Sequence, residues 1–118
     1  MHPLPNYARA VIEDSKFVRY ALNPENKRGQ HKALVFASAL GFDMSNWEQL
    51  KQAIFHTLPY HQATLTSETV FGKKYTVVLP ITGANGRTVD VITIWQFDRL
   101  SDGVLCADIP RLVTLYIP

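Results

Sequence analysis

The chain has 118 residues, 47% hydrophobic and 19% charged, with a net charge of +2 and an isoelectric point near 8.8. That length supports one core and excludes two; no apolar run is long enough to cross a membrane. The mild basicity permits contact with a phosphate backbone, but no dense Lys/Arg run marks a protein that binds by nonspecific charge. The N-terminus "MHPLPNYARAVIEDSK" lacks the basic start and apolar stretch of a signal peptide, and a lone Cys106 fits a reducing compartment, so a cytoplasmic protein is expected.

Residues 1–13, with two prolines and a polar mix, are expected to lie as an arm over the surface of a single domain spanning 1–118. A helical part over 14–58 follows. Its first helix, "DSKFVRYALNPE", has Asp14 as N-cap, Phe17, Tyr20 and Ala21 on one face, and Pro24 as its stop. The second, "KRGQHKALVFASALGF", carries Ala33, Phe36, Ala37 and Leu40 at i, i+3, i+4, i+7 spacing and ends at Gly41. In the third, "SNWEQLKQAIFHTL", Ser45 and Glu48 match a capping box, Trp47, Leu50, Ile54 and Leu58 form the apolar stripe, and Pro59 ends it.

Strands are expected over 62–117: "ATLTSETV", "KKYTVVLPI", "RTVDVITIWQF" and "RLVTLYI". The fold class is therefore α+β, with about three N-terminal helices packed on one face of an antiparallel sheet of about four strands. Asn85-Gly86 between two β-rich runs signals a hairpin. A two-residue turn there pairs Thr82 with Val89 and Thr76 with Trp95. It sets Tyr75, Val77, Leu79 and Ile81 against Asp90, Ile92, Ile94 and Gln96 on the core face, with Val113, Leu115 and Ile117. The other face then carries Thr76, Thr93, Trp95, Leu112, Thr114 and Tyr116. Hydroxyls beside aromatic rings suit a nucleotide platform, although Thr, Trp and Tyr are also common on a half-exposed sheet face.

Among four histidines only His31 has a suggestive setting. It can exchange a proton near neutral pH, with Lys32 or Arg28 supplying charge to a phosphate. A solvated helix start is the simpler reading of the same pair. His56 and His61 straddle Pro59, and with no second cysteine neither a metal nor another cofactor is expected. Arg111, opening the last strand, can clamp a phosphate through two donors or pair with Asp98, Asp102 or Asp108.

The stretches "ALNPENKRGQHKALVFASALGF", "FGKKYTVVLPITGANGRTVDVITIW" and "PRLVTLYI" together resemble a bacterial family of short uncharacterised proteins. The elements that carry the resemblance are Leu22-Asn23-Pro24, Gly29, His31-Lys32-Ala33, Phe36, Leu40-Gly41, Gly72, Tyr75, Gly83, Gly86, Trp95 and Arg111-Leu112-Val113-Thr114, within residues 17–117. A similar domain occurs at the C-termini of large secreted adhesin-like proteins. The layout is more loosely similar to the barnase–EndoU–colicin–RelE group of RNases and polymorphic toxins. That likeness implies metal-independent RNA cleavage, with His31 as base, Arg111 and Thr114 completing the catalytic set, and Lys32, Thr93, Trp95 and Tyr116 holding the substrate. It implies RNA as ligand and a cognate antitoxin or immunity protein as partner. The competing expectation is a non-catalytic interaction module that uses the same aromatic sheet face as its anchor.

Overall fold

The computed structural model describes residues 2–102 and 106–118. Helices precede strands along the chain. Two α-helices, α1 (Gln30–Leu40) and α2 (Trp47–Thr57), lead into a four-stranded antiparallel sheet ordered β1-β2-β3-β4. The strands are β1 (Ala63–Thr69), β2 (Gly72–Thr82), β3 (Thr88–Asp98) and β4 (Arg111–Tyr116).

The expected first helix is only a π-helical turn, Lys16–Ala21. Asp14 does not cap it: its carboxylate pairs with Lys51 at 2.7 Å instead, while its carbonyl accepts from Phe17 and Val18. Phe17 and Ala21 point inward, and the Phe17 ring stacks on Trp47 of α2 at 5.9 Å. In α1 the inward residues are Ala33, Phe36 and Leu40, whereas Ala37 is exposed. The capping box before α2 does not form. The Ser45 hydroxyl bonds the Asp43 carboxylate, and Asn46 occupies the cap position while its amide reaches back to the Gly41 carbonyl. Leu50, Ile54 and Leu58 are buried as the stripe required.

The N-terminal segment is more than a surface arm. The Ala63 amide donates to the His2 carbonyl beside β1, and Val11 bridges Arg111 on β4, so the segment touches both edge strands. Leu4 and Ile12 are buried in the core along the way.

The β2–β3 register differs from expectation by one residue. Thr82 pairs with Thr88, not Val89. The loop contains Ala84, Asn85 and Gly86 rather than Asn85-Gly86 alone: Gly86 donates to the Gly83 carbonyl and Gly83 to that of Arg87, with Gly86 at φ 82°. This is the type I turn with a left-handed glycine that favours three-residue loops. Its donors also reach α1, Asn85 bonding the carbonyls of Ala39 and Leu40 at the helix end.

A slip of one residue turns β3 over. Val77, Leu79 and Ile81 are buried as expected, but their partners are Thr93, Val91 and Val89. Trp95 and Thr93 therefore lie in the core, each 0% exposed. There the Trp95 indole donates to the Thr93 hydroxyl at 2.9 Å, and that hydroxyl donates to the Val77 carbonyl at 2.7 Å, so neither polar group is left unsatisfied. On β4 a bulge at Val113 separates the pairs Trp95↔Leu112 and Ile94↔Thr114. It turns Leu112 inward with Leu115 and leaves Thr114 and Tyr116 on the side of Ile94 and Ile92.

Candidate anion-binding cleft

With Phe17 and Ala21 fixed in the core, the π-helical turn presents Lys16, Arg19 and Tyr20 outward. The chain then runs through "LNPENKRG", which Asn26 ties back onto this turn. Its amide donates to the Arg19 carbonyl at 2.6 Å, and its side-chain oxygen accepts the amides of Arg28 and Gly29, each at 2.9 Å. Gly29 is required by contact: a Cβ there would stand 2.0 Å from the Tyr20 carbonyl oxygen. Only glycine lets the entry to α1 lie against the turn, and this approach brings Arg28 to Arg19.

One residue before the buried Ala33, Lys32 leaves α1 toward the edge of the sheet. Its ammonium donates to the Thr114 hydroxyl at 2.8 Å and lies 4.8 Å from the Tyr20 ring centroid and 5.8 Å from that of Tyr116. Both distances suit attraction between a cation and an aromatic face. Beside this anchor is an open cleft of about 470 Å³ lined by Ser15, Lys16, Arg19, Tyr20, Arg28, Val113 and Thr114. Ion pairs among the described residues include Lys51–Asp14, Lys73–Glu68 and Arg111–Asp98, and none of these takes a cation of this region. Lys16, Arg19 and Arg28 line the cleft and Lys32 stands behind its wall on Thr114, and among the described residues none of the four has an ion-pair partner. The side chains supply two guanidinium forks, two ammonium groups and two hydroxyls, a donor set for phosphate oxygens.

Arg111 lies elsewhere. It lines a second cleft, of about 590 Å³, with Thr69, Val70, Phe71, Lys74, Gln96, Asp98 and Arg99. There its Nε and Nη2 donate to the two oxygens of the Asp98 carboxylate, at 2.7 and 2.9 Å. These bonds from Arg111 hold the Asp98 carboxyl below its ordinary value, with Gln96 adding to the effect and burial opposing it, and the same pairing raises Arg111.

Of the residues singled out from sequence, Lys32, Thr114 and Tyr116 come together. Thr93 and Trp95 are withdrawn from the substrate set, because a side chain sealed in the core cannot stack on a base. His31 is exposed on the first turn of α1, adjacent in the chain to Lys32 but outside the lining of the cleft. Lys16 and Arg19 were not foreseen. Their signal is local: Arg19 falls between the inward positions 17 and 21 of a short turn and Lys16 immediately precedes them, so neither takes an inward position.

The chain belongs to the family described as a domain of unknown function (DUF6883), whose model matches residues 3–118. No curated protein matches it significantly, and no solved structure does. Among the described residues, no helix is long and apolar enough to cross a membrane.

Proposed function

We propose that this chain acts on RNA, holding phosphate in the cleft between the π-helical turn and β4, and that it is a metal-independent ribonuclease of toxin type. The observation that carries the reading is the Lys32 ammonium anchored on Thr114 near two tyrosine rings, beside the cleft lined by Lys16, Arg19 and Arg28, with none of the four ion-paired among the described residues. The likeness in layout to the barnase–EndoU–colicin–RelE group supports the same direction.

In this reading His31 takes the proton of a ribose 2′-hydroxyl. The freed oxygen bonds the adjacent phosphorus, the bond to the 5′-oxygen breaks, and the leaving oxygen takes a proton from the imidazolium. A cyclic phosphate remains. Charge developing on the phosphoryl oxygens is met by Lys32 and the two arginines of the cleft. Arg111 has no part in this step in the proposed reading, since it lines the separate cleft and is paired there with Asp98.

The test is cleavage of a mixed RNA pool in chelator by wild type and by His31→Ala. Cleavage that disappears in the folded variant supports the reading; cleavage that persists removes His31 from it. A second reading is a non-catalytic module bound by an antitoxin- or immunity-type partner. It is favoured by Val70 and Phe71, 78% and 74% exposed beside the Arg111 cleft. Intact RNA with both proteins, together with partner binding abolished by Phe71→Ser, would select it.

A further inference from the structure

Three positive side chains and two hydroxyls line one small cleft, with the Lys32 ammonium bonded to Thr114 at its wall, and together they exceed what an internal phosphodiester needs. Such a group carries a single charge and two non-bridging oxygens. A phosphomonoester carries close to two charges at neutral pH and offers three acceptor oxygens. The shape argues in the same direction. At about 470 Å³ the cleft has the size of a small-ligand pocket, whereas a groove that tracks a strand spreads its cations along the backbone.

Resting on the proposed binding of RNA phosphate, we infer that the cleft selects a multiply charged phosphate: the terminal phosphomonoester of an RNA end, or the diphosphate of a free nucleotide. Arg19 and Arg28 grip its oxygens as forks, Lys16 and Lys32 neutralise the remaining charge, and the Ser15 and Thr114 hydroxyls donate at the cleft wall. Tyr20, which also lines the cleft, offers a ring edge or face to the adjoining sugar and base. The Lys32 ammonium is already held by Thr114 and Tyr20, so little side-chain freedom is lost when the phosphate arrives.

Fluorescence anisotropy with His31→Ala, which removes the proposed base, compares one short RNA sequence bearing a 5′-phosphate, a 3′-phosphate or only hydroxyl ends. Inorganic pyrophosphate and a nucleoside diphosphate serve as competitors. The expected result is that one phosphorylated end binds about tenfold tighter than hydroxyl ends, a difference of about 1.4 kcal/mol. Pyrophosphate should displace it. The preference should disappear in Arg19→Gln/Arg28→Gln and shrink below about pH 6, where the phosphate regains its second proton.

Equal affinity for all three RNAs would overturn the inference and leave the RNA reading standing. Binding of nucleoside diphosphate and pyrophosphate with no RNA binding would do the reverse, sustaining the inference with a free nucleotide as the source. Failure of every probe with a protein shown folded by circular dichroism would overturn both.

Discussion

Arg111 and Thr114 stand three positions apart on β4, yet they belong to opposite electrostatic settings. At Arg111 the charge is answered within the protein: Asp98 accepts from Nε and Nη2 along one edge of the guanidinium, and Gln96 braces the carboxylate. At Thr114 the Lys32 ammonium is bonded and Lys16, Arg19 and Arg28 line the adjoining cleft, and among the described residues none of the four is ion-paired. A count of basic residues would rank the two places alike. The difference lies in which acid the fold brings near each strand residue, so the chain's small net charge conceals one arginine already paired and one cluster that still calls for an anion.

The strongest way to break this contrast is to empty the second site. The triple variant Arg19→Ala/Arg28→Ala/Lys32→Ala should lose about a hundredfold in affinity for RNA at low salt, about 2.7 kcal/mol, by filter binding, while Arg111→Ala should change it less than about twofold. The slope of log affinity against log salt should flatten in the triple variant only, because each lost phosphate contact removes about 0.7 from it for a single strand. Comparable losses in the two proteins would show that the clefts are not distinct.

The next effect tests the core against the surface. Thr93→Val leaves the Trp95 indole N–H buried without its acceptor, and should lower stability by about 1–3 kcal/mol in urea denaturation. RNA affinity of the folded protein should not change. A drop in affinity at unchanged stability would return Thr93 to the binding surface and contradict its burial.

The smallest effect belongs to the paired site. Because the folded state holds the Asp98 carboxyl below its ordinary value, the pair stabilises fully above the ordinary carboxylate range, and that contribution is lost as the pH falls through the lowered value. The side chains of Arg111 and Asp98 are 40% and 44% exposed, which limits the contribution to at most about 1 kcal/mol. Asp98→Asn should therefore be slightly less stable than wild type at pH 7. The two proteins should converge only in strong acid, below the ordinary carboxylate range. A gap that stays constant with pH would assign the effect to packing rather than charge.

What could be read from sequence follows the range of the interaction. Periodic burial over positions 33, 36 and 40 located α1, and runs of β-branched residues located the strands, because both signals are local. The hairpin defeated the reading by one residue. Asn85-Gly86 fits two loop lengths, and the longer one is used here with Asn85 bonded to the end of α1. That single residue moved Trp95 and Thr93 from an expected binding face into the core. The bulge at Val113 did the same for Leu112 while leaving Thr114 and Tyr116 in place. Lys32 with Thr114 was within reach of inspection; the gathering of Lys16, Arg19 and Arg28 was not. It depends on Asn26 and Gly29 folding two segments onto each other, a contact with no periodicity to betray it.

The end bonds of α1 have a geometric consequence. Gly29 and Asn26 fix its first turn to the π-helical turn, and Asn85 fixes its last turn to the sheet. The helix is thus a strut of fixed length, about 16 Å for its eleven residues, clamped at both ends. Lengthening it by one residue would rotate one clamp by about 100° relative to the other and carry Lys32 away from Thr114. In this fold the spacing between Asn26 and Asn85 acts as a ruler for the cleft, and the number of residues in α1 is as much a determinant of the site as the charges that line it.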